Sequence, residues 1–418
     1  MSTRVLFVGD LAATGFGSVT TDLGRALLAE GLDVRFLSQN DLRAEMPEPF
    51  ASRTVDVAFY EFSAREAGVS GVRSLLGDIV DGVPGHRLVN GQPFGDWKPQ
   101  AVLILSDFAA ARILYHRFSD ALSRVPVFHY CPVEGVDLPP LWAQLWSALQ
   151  PVAMSNFGRD EIARVTGSEP PMIYHGVDQT TFYPVSSEQP ILAPRDESAG
   201  AQLVTLTSKA ACKRFFGFSD DVTLILRADR LMPRKRYDSL LRSLDPVLAT
   251  RPNAHLLLHC AKYDQGGFLP DVISKMRPES RVRTTVTDRP GLPRPVLAAL
   301  YNAADLYVSS SAEGFGLTIA EALACGVPAV GIDYSAVPEV IGPAGCVVPV
   351  GGLYDNEYAH RWAYPDEEKF AEAVEFLLDH PARRRALGAL GPKHVAQHFQ
   401  WSDAARRFAA LLAPHELA

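Results

Sequence analysis

Short apolar runs recur along this chain, separated by segments with helical spacing. Residues 4–9, RVLFVG, form one such run with no polar alternation, which predicts a strand buried on both faces. Residues 19–30 follow with apolar side chains at Val19, Leu23, Ala26 and Leu27, the spacing of one helix face, and Gly31 ends them. Residues 33–37 read as the next strand, so the chain opens on a βαβ unit. Further buried strands are predicted at 55–59, 101–105, 125–129 and 151–155, with a helix at 157–165 and a Gly/Pro-rich loop at 84–99. A polar stretch with two prolines, residues 185–203, reads as a linker. The alternation then restarts. Strands are predicted at 222–228, 255–260, 282–286, 306–309, 329–332 and 346–350, and helices at 366–380, 382–398 and 402–412. The fold class is therefore α/β, with two similar halves, each a parallel sheet covered on both faces.

Residues 306–333, LYVSSSAEGFGLTIAEALACGVPAVGID, organise the second half. They read as strand, two-glycine loop, short helix and strand. Gly326 closes the helix and Pro328 stands just beyond it. A loop that feeds a helix N-terminus at the carboxyl edge of a parallel strand offers free N–H groups and a favourable dipole to a phosphate. Leu317, Ala320, Leu323 and Ala324 share the face that packs on the sheet, while Thr318 and Glu321 share another. Glu313 precedes the helix, with seven residues between it and Glu321. A carboxylate at 321 is costly to bury without donors, which ribose hydroxyls would supply. A lone Glu here would read as a solvated helix residue. The second Glu, the Gly-Phe-Gly turn and the flanking strands weigh against that.

E-G-F-G-L-T-x-x-E-A-x-A-C-G-x-P-A-V resembles the E-x7-E signature of retaining glycosyltransferases with the GT-B fold, family 4 in particular. The resemblance covers most of the chain and is strongest from 229 to 345. It implies GT-B architecture, two Rossmann-like parallel-sheet domains facing across a cleft. Residues 1–184 would form the acceptor-side domain, 185–203 the linker and 204–399 the nucleotide-sugar donor domain, with 400–418 crossing back to the first. It also implies that Glu313 lies by the donor sugar and that Glu321 bonds the donor ribose. The N–H groups between them would hold the pyrophosphate, so the matching positions are Glu313, Phe315, Gly316, Leu317, Thr318 and Glu321.

Other stretches carry weaker signals. In D-R-L-M-P-R-K, Arg230 and Lys235 flank a turn after a strand. Either alone reads as a surface cation. Together, R-L-x-x-x-K resembles the family pair that neutralises the donor diphosphate. Arg234 and Arg236 are expected to be exposed. Gly15-Phe16-Gly17 approaches the dinucleotide fingerprint, but Thr20 stands at the third glycine, and a lone G-x-G also suits a tight turn. The equivalent GT-B loop faces phosphates or acceptor, which makes Gly15 and Gly17 donor-binding candidates. F-H-Y at a strand end puts His129 toward a ligand cleft, where family 4 sets a His near the sugar hydroxyls. H-G-V-D-x-x-x-F-x-P, from His175, resembles the family segment that ends the first domain, with His in place of Asn. Trp142 and Trp146, four apart, read as core packing ahead of a sugar platform. Residues 351–365 are a long aromatic insertion, a candidate for the acceptor site or a subunit contact, so a homo-oligomer stays open.

Composition narrows the classes. At 418 residues the chain holds two or three ordinary domains, and 47% hydrophobic with 21% charged residues excludes a disordered chain. The net charge of −8 argues against tight docking on nucleic acid or anionic membranes. Residues 1–184 hold 14 Lys/Arg against 21 Asp/Glu, so no strong membrane signal comes from that half. Five cysteines without a C-x-x-C read as reduced, buried thiols. The first apolar run is too short for a signal peptide, and a cytoplasmic protein is expected. The resemblance implies a retaining, metal-independent transfer of a sugar from a nucleotide-sugar, UDP- or GDP-linked, to a hydroxyl acceptor. No other cofactor and no metal is expected, because fixed Arg and Lys can do magnesium's work and no D-x-D motif stands at a matching strand end. The acceptor is open between small molecule, glycan, protein and modified nucleic acid. The rivals are a GT-B phosphorylase or nucleotide-sugar epimerase, a non-catalytic nucleotide-sugar or glycan-binding module and, more weakly, an NAD-dependent dehydrogenase.

Overall fold

The computed structural model describes residues 2–12, 14–38, 46–56, 70–83, 86–195, 202–289 and 291–413. The chain divides into two compact units. The first comprises residues 1–133, 137–176 and 401–418, and the second residues 134–136 and 177–400. In the first, β1 (Arg4–Gly9), β2 (Asp33–Ser38), β3 (Ala101–Leu105), β4 (Val127–Cys131) and β5 (Gln150–Ala153) form a parallel sheet in the order β2-β1-β3-β4-β5. β3 and β4 are buried at every residue, which is why their sequences are continuously apolar rather than alternating. Thr14, Asp107 and Ser155 cap the helices Gly15–Ala29, Phe108–Leu122 and Asn156–Thr166, each side chain accepting from a first-turn amide. The helix Trp401–Leu412 returns to this unit from the end of the chain and seats Phe408 against Tyr130, ring centres 4.9 Å apart. Gly176 is required beneath it, since a Cβ there would lie 2.3 Å from the Trp401 nitrogen.

The second unit is built on six parallel strands. β8 (Thr223–Ala228), β9 (Ala254–His259), β12 (Thr284–Val286), β13 (Leu306–Ser309), β14 (Ala329–Ile332) and β15 (Gly345–Val348) lie in the order β12-β9-β8-β13-β14-β15. This is the doubly wound, Rossmann-like arrangement, and its order reverses between β8 and β13. The segments leaving the carboxyl ends of those two neighbours carry residues 229–236 and 310–318, so topology alone brings two distant stretches to one switch point. Three antiparallel pairs decorate the unit: β6 (Ile191–Pro194) with β7 (Leu203–Leu206), β10 (Tyr263–Asp264) with β11 (Gly267–Phe268), and β16 (Val350–Asp355) with β17 (Arg361–Pro365). The two sheets give the α/β class, with two Rossmann-like domains.

Several expected elements shift. The first helix starts at Gly15 rather than Val19, so the expected glycine loop is its first turn. Pro126 delays β4 to Val127–Cys131, which places His129 inside the strand and not at its end. Within 185–203, expected as linker, Ile191–Pro194 form a strand that pairs with Leu203–Leu206. The expected helix 382–398 is two, Pro381–Gly388 and Gly391–His398, divided before Pro392. The insertion 351–365 is the β16–β17 hairpin. Of the expected strand 55–59, Val55 bridges Leu88, and 57–59 lie outside the described residues.

β8 sits at the middle of its sheet and Leu226 within it is wholly buried. Leu226→Ala is expected to cost about 2–5 kcal/mol, from lost transfer energy and the cavity left behind. Denaturant unfolding of wild type and variant measures it.

Candidate functional site

The helix mouth is fixed by backbone chemistry. Gly316 stands at its N-cap with φ +102°, a conformation closed to most side chains, and the helix Leu317–Ala324 begins directly after it. Phe315 turns inward and meets Phe399 edge-on at 5.1 Å, anchoring the turn. The Glu313 amide donates to Ser335 Oγ at 2.8 Å and the Ser311 hydroxyl donates to Glu313 Oε1 at 2.6 Å. Thr318 accepts from the Tyr307 hydroxyl at 2.8 Å. Beyond Leu317 and Thr318 the helix is buried on all sides up to Cys325, so its apolar face is wider than the four residues expected.

Into this mouth the β8 end delivers charge. The Lys235 ammonium donates to both Glu313 oxygens, at 2.6 and 2.7 Å, and lies 2.8 Å from Asp229 Oδ1. The ammonium thus lies between two carboxylates. Arg227, wholly buried at the middle of the sheet, reaches Asp229 Oδ2 at 2.8 Å, Ser311 Oγ at 2.8 Å and the Val308 carbonyl at 3.2 Å. Arg234 donates to the Ala312 carbonyl at 3.2 Å and to Glu313 Oε2 at 3.4 Å, and pairs with Glu134 at 3.2 Å. Three cations and three carboxylates thus share one cluster, and ions this buried are tolerated only when paired and bonded. Burial pushes the Glu313 carboxyl upward, but the Lys235, Arg234 and Arg227 charges outweigh it and hold the group down at about 2. Glu313 is accordingly ionised at neutral pH.

The turn bearing Lys235 is braced from the other side. Arg236 follows it at φ +50° and sets its guanidinium over the rings of Tyr354 and Tyr364, at 5.0 and 5.7 Å. Those tyrosines belong to the β16–β17 hairpin. A non-glycine residue in the left-handed region costs about 1 kcal/mol or more, which the two stacked rings and the Asp238 bond at 2.8 Å offset.

The remaining candidates divide. Glu321 is buried and accepts from the Tyr301 hydroxyl at 2.8 Å, a protein donor that the chain's pattern did not signal. Arg230 and Lys235, expected as a pair, separate: Arg230 is half-exposed and makes a two-armed bond to Asp264, at 3.1 Å on each arm. Arg234, expected to be exposed, is the cation that joins Lys235 on Glu313. Arg227, Asp229 and Glu134 went unrecognised as members. A charge inside TLILRA, an otherwise apolar strand, was the available sign, since such an arginine must find buried partners.

In the first unit, the Gly17 amide donates to Thr14 Oγ1 at 3.0 Å. A Cβ on Gly17 would lie 1.8 Å from the Ala12 carbonyl oxygen, so close packing accounts for that glycine. His129 is fully buried, with Nε2 3.1 Å from the Ser106 carbonyl, and its Nδ1 accepts from the Trp146 indole at 3.2 Å. Both ring nitrogens are engaged, and the ring ties two strands to a helix. Trp142 stacks on Phe108 at 3.7 Å, as core packing requires. All five cysteines are free thiols. Among the described residues no group of three or more His, Cys, Asp or Glu is placed to hold a metal ion, and no helix is long and apolar enough to cross a membrane.

Residues 223–380 match the family model described as "Glycosyl transferases group 1". The matched region contains β8, β13, the helix mouth and every charged partner above except Glu134. The chain is 30% identical over 223 residues to a GDP-mannose-dependent monoacylated alpha-(1-6)-phosphatidylinositol monomannoside mannosyltransferase of Corynebacterium glutamicum, covering 50% of this chain and 51% of that protein. It is 33% identical over 208 residues to a D-inositol 3-phosphate glycosyltransferase of Thermobispora bispora, covering 48% of this chain and 45% of the relative. The chain thus spans about half the length of the curated relatives it matches. Among solved structures, a sucrose-phosphate synthase from Thermosynechococcus elongatus is similar in fold over 98% of both chains, with TM-score 0.69 and 17% identity. The Anabaena protein HepE in complex with UDP-glucose is similar over 98% of this chain and 99% of its own, with TM-score 0.64 and 13% identity.

Burial lowers His129 to about 4 despite its bond to the Ser106 carbonyl, and burial lowers His175 to about 3. Both stay neutral in the folded first unit, while the unfolded chain takes up protons below 6.5. Their contribution to stability is therefore complete above pH 6.5 and is lost progressively as pH falls toward 4 and then 3. Thermal unfolding between those limits is expected to fall with pH, and His129→Gln should flatten the upper part of that fall.

Proposed function

We propose that this chain is a retaining glycosyltransferase that moves a sugar from a UDP- or GDP-linked donor to a hydroxyl acceptor. The observation that carries the reading is the Lys235–Glu313 contact, 2.6 Å, at the mouth of the helix Leu317–Ala324. The match to a glycosyl transferases group 1 model over 223–380 supports it. A nucleoside diphosphate leaves with growing negative charge. Lys235, Arg230 and the first-turn amides of that helix oppose that charge more strongly in the transition state than in the ground state. These cations, rather than a divalent ion, counter the phosphates in this proposal.

In this reading the two cations have different tasks. Lys235 is buried and already holds Glu313 and Asp229, so phosphate oxygens at the mouth compete with Glu313 for the ammonium. That competition frees a Glu313 oxygen toward the sugar hydroxyls. Glu313 is a positioning and charge-stabilising group here, and the proton of the acceptor passes to the departing phosphate oxygen on the same face. Arg230 pairs with Asp264 at the surface, a bond worth only about 0.2–1 kcal/mol, so turning it to a phosphate costs little. Glu321, beside Tyr301, takes the ribose hydroxyls. His129, with both nitrogens engaged inside β4, is not part of this machinery.

Lys235→Ala and Arg230→Ala are each expected to lower turnover of a nucleotide sugar by roughly 10²-fold or more, the scale for losing a fixed donor to developing negative charge. Near-normal turnover in either variant removes that residue from the mechanism. Screening nucleotide sugars for stabilisation against heat, with products identified by mass spectrometry, selects the donor for this assay. Glu321→Ala is expected to weaken nucleoside diphosphate binding in calorimetry, and an unchanged affinity refutes the ribose assignment.

A further inference from the structure

Glu134 is remote in sequence from the helix mouth, yet residues 134–136 pack with the second unit. The hairpin β16–β17 holds them there. Val136 and Arg361 form an antiparallel bridge: the Arg361 amide donates to the Val136 carbonyl at 3.0 Å and the Val136 amide donates to the Arg361 carbonyl at 3.2 Å. The Tyr334 hydroxyl closes the gap, accepting from the Val136 amide at 3.0 Å and donating to the Arg361 carbonyl at 2.8 Å. Gly135 lets the strands approach, because a Cβ on it would stand 2.3 Å from the Arg361 carbonyl oxygen and 2.6 Å from the His360 ring. Three hydrogen bonds at Val136, with Tyr334 tied in turn to Arg361, therefore fix the chain immediately after Glu134.

The carboxylate so fixed lies 3.2 Å from Arg234 Nη2, while Arg234 Nη1 lies 3.4 Å from Glu313 Oε2. One planar guanidinium thus spans two carboxylates. Glu134 keeps 18% of its side chain exposed, against 8% for Glu313. It is the more exposed of the two carboxylates that Arg234 bridges, and so the one a ligand meets first. An ionised carboxylate accepts hydroxyl protons and repels phosphate, so its natural ligand is a polyol portion rather than a diphosphate.

We propose that Glu134 is a specificity-determining residue that accepts hydroxyls of the donor's sugar, and that Tyr334, Gly135 and the β16–β17 hairpin are the device that positions it. The inference rests on the glycosyltransferase reading above. A site built to bond a hydroxyl rejects a ligand that lacks it, because its own polar group is then left unpaired. Glu134 consequently matters when a sugar is attached and not when the diphosphate binds alone.

Calorimetry on the full chain separates these states. The probes are UDP-glucose, UDP-galactose, UDP-N-acetylglucosamine and GDP-mannose, each against its own nucleoside diphosphate. Glu134→Gln is expected to weaken the nucleotide sugar about tenfold, the effect of about 1.4 kcal/mol, and to move the diphosphate by less than about twofold. Tyr334→Phe keeps the carboxylate but loosens its loop, and should give the same selective pattern at smaller size. Equal losses for sugar-bearing and sugar-free ligands, or no loss for the nucleotide sugar in Glu134→Gln, overturn the proposal. So does a wild type that binds a diphosphate but none of the four sugars. A wild type that binds neither class overturns the glycosyltransferase reading itself.

Discussion

The second unit depends on one ammonium group. Lys235, largely buried, donates to both Glu313 oxygens and lies in an ion pair with Asp229, and the surrounding cations and carboxylates balance in charge. Moving a charge out of water costs several kcal/mol per ion even after relaxation. A cluster of six such groups is therefore a poor way to stabilise a protein. On the proposed function, its use is to keep charge concentrated beside the departing diphosphate. Within β8, Arg227 runs through the middle of an apolar sheet and stays charged against the pull of burial because Asp229 and Glu313 face it.

Two other features follow from that constraint. The turn bearing Lys235 must be rigid, or the ammonium would drift from its partners. Arg236 meets the need by sitting in a strained conformation between two tyrosines. The helix mouth opposite must also be rigid, and Gly316, Phe315 and Ser335 meet that need by a left-handed turn, an aromatic anchor and a bond to the Glu313 amide. The β16–β17 hairpin serves the first of these needs and also places Glu134. It carries Tyr354 and Tyr364 for Arg236 and, at Arg361, the bridge to Val136 that presents Glu134. An aromatic insertion that looked like an appendage in the sequence thus supports the charged cluster from two directions.

The α/β class, the position of most strands in both halves and the helix mouth with Glu313 were legible in the sequence. Each of these is local. A run of buried apolar residues, a glycine that needs a left-handed turn and a carboxylate set before a helix act over a few residues, and the chain displays them directly. Boundaries failed where a short-range signal overrode the pattern, as Pro126 did for β4 and Pro392 did for the helix after 381.

What only the tertiary structure decided is partnership. Lys235 and Glu313 are 78 residues apart, and nothing in either neighbourhood names the other. The sequence offered Arg230 as the companion of Lys235, but the turn Pro233–Lys235 directs Arg234 to Glu313 and leaves Arg230 to Asp264. It likewise offered His129 as a strand-end group, and a two-residue shift of the strand buried it between a carbonyl and an indole. Glu134 joined the cluster through a backbone bridge with Arg361, a pairing that no periodicity encodes. Spacing along the chain fixes which residues share a turn or a face. Which charge meets which across the switch point depends on strand order and on packing at the level of single ångströms.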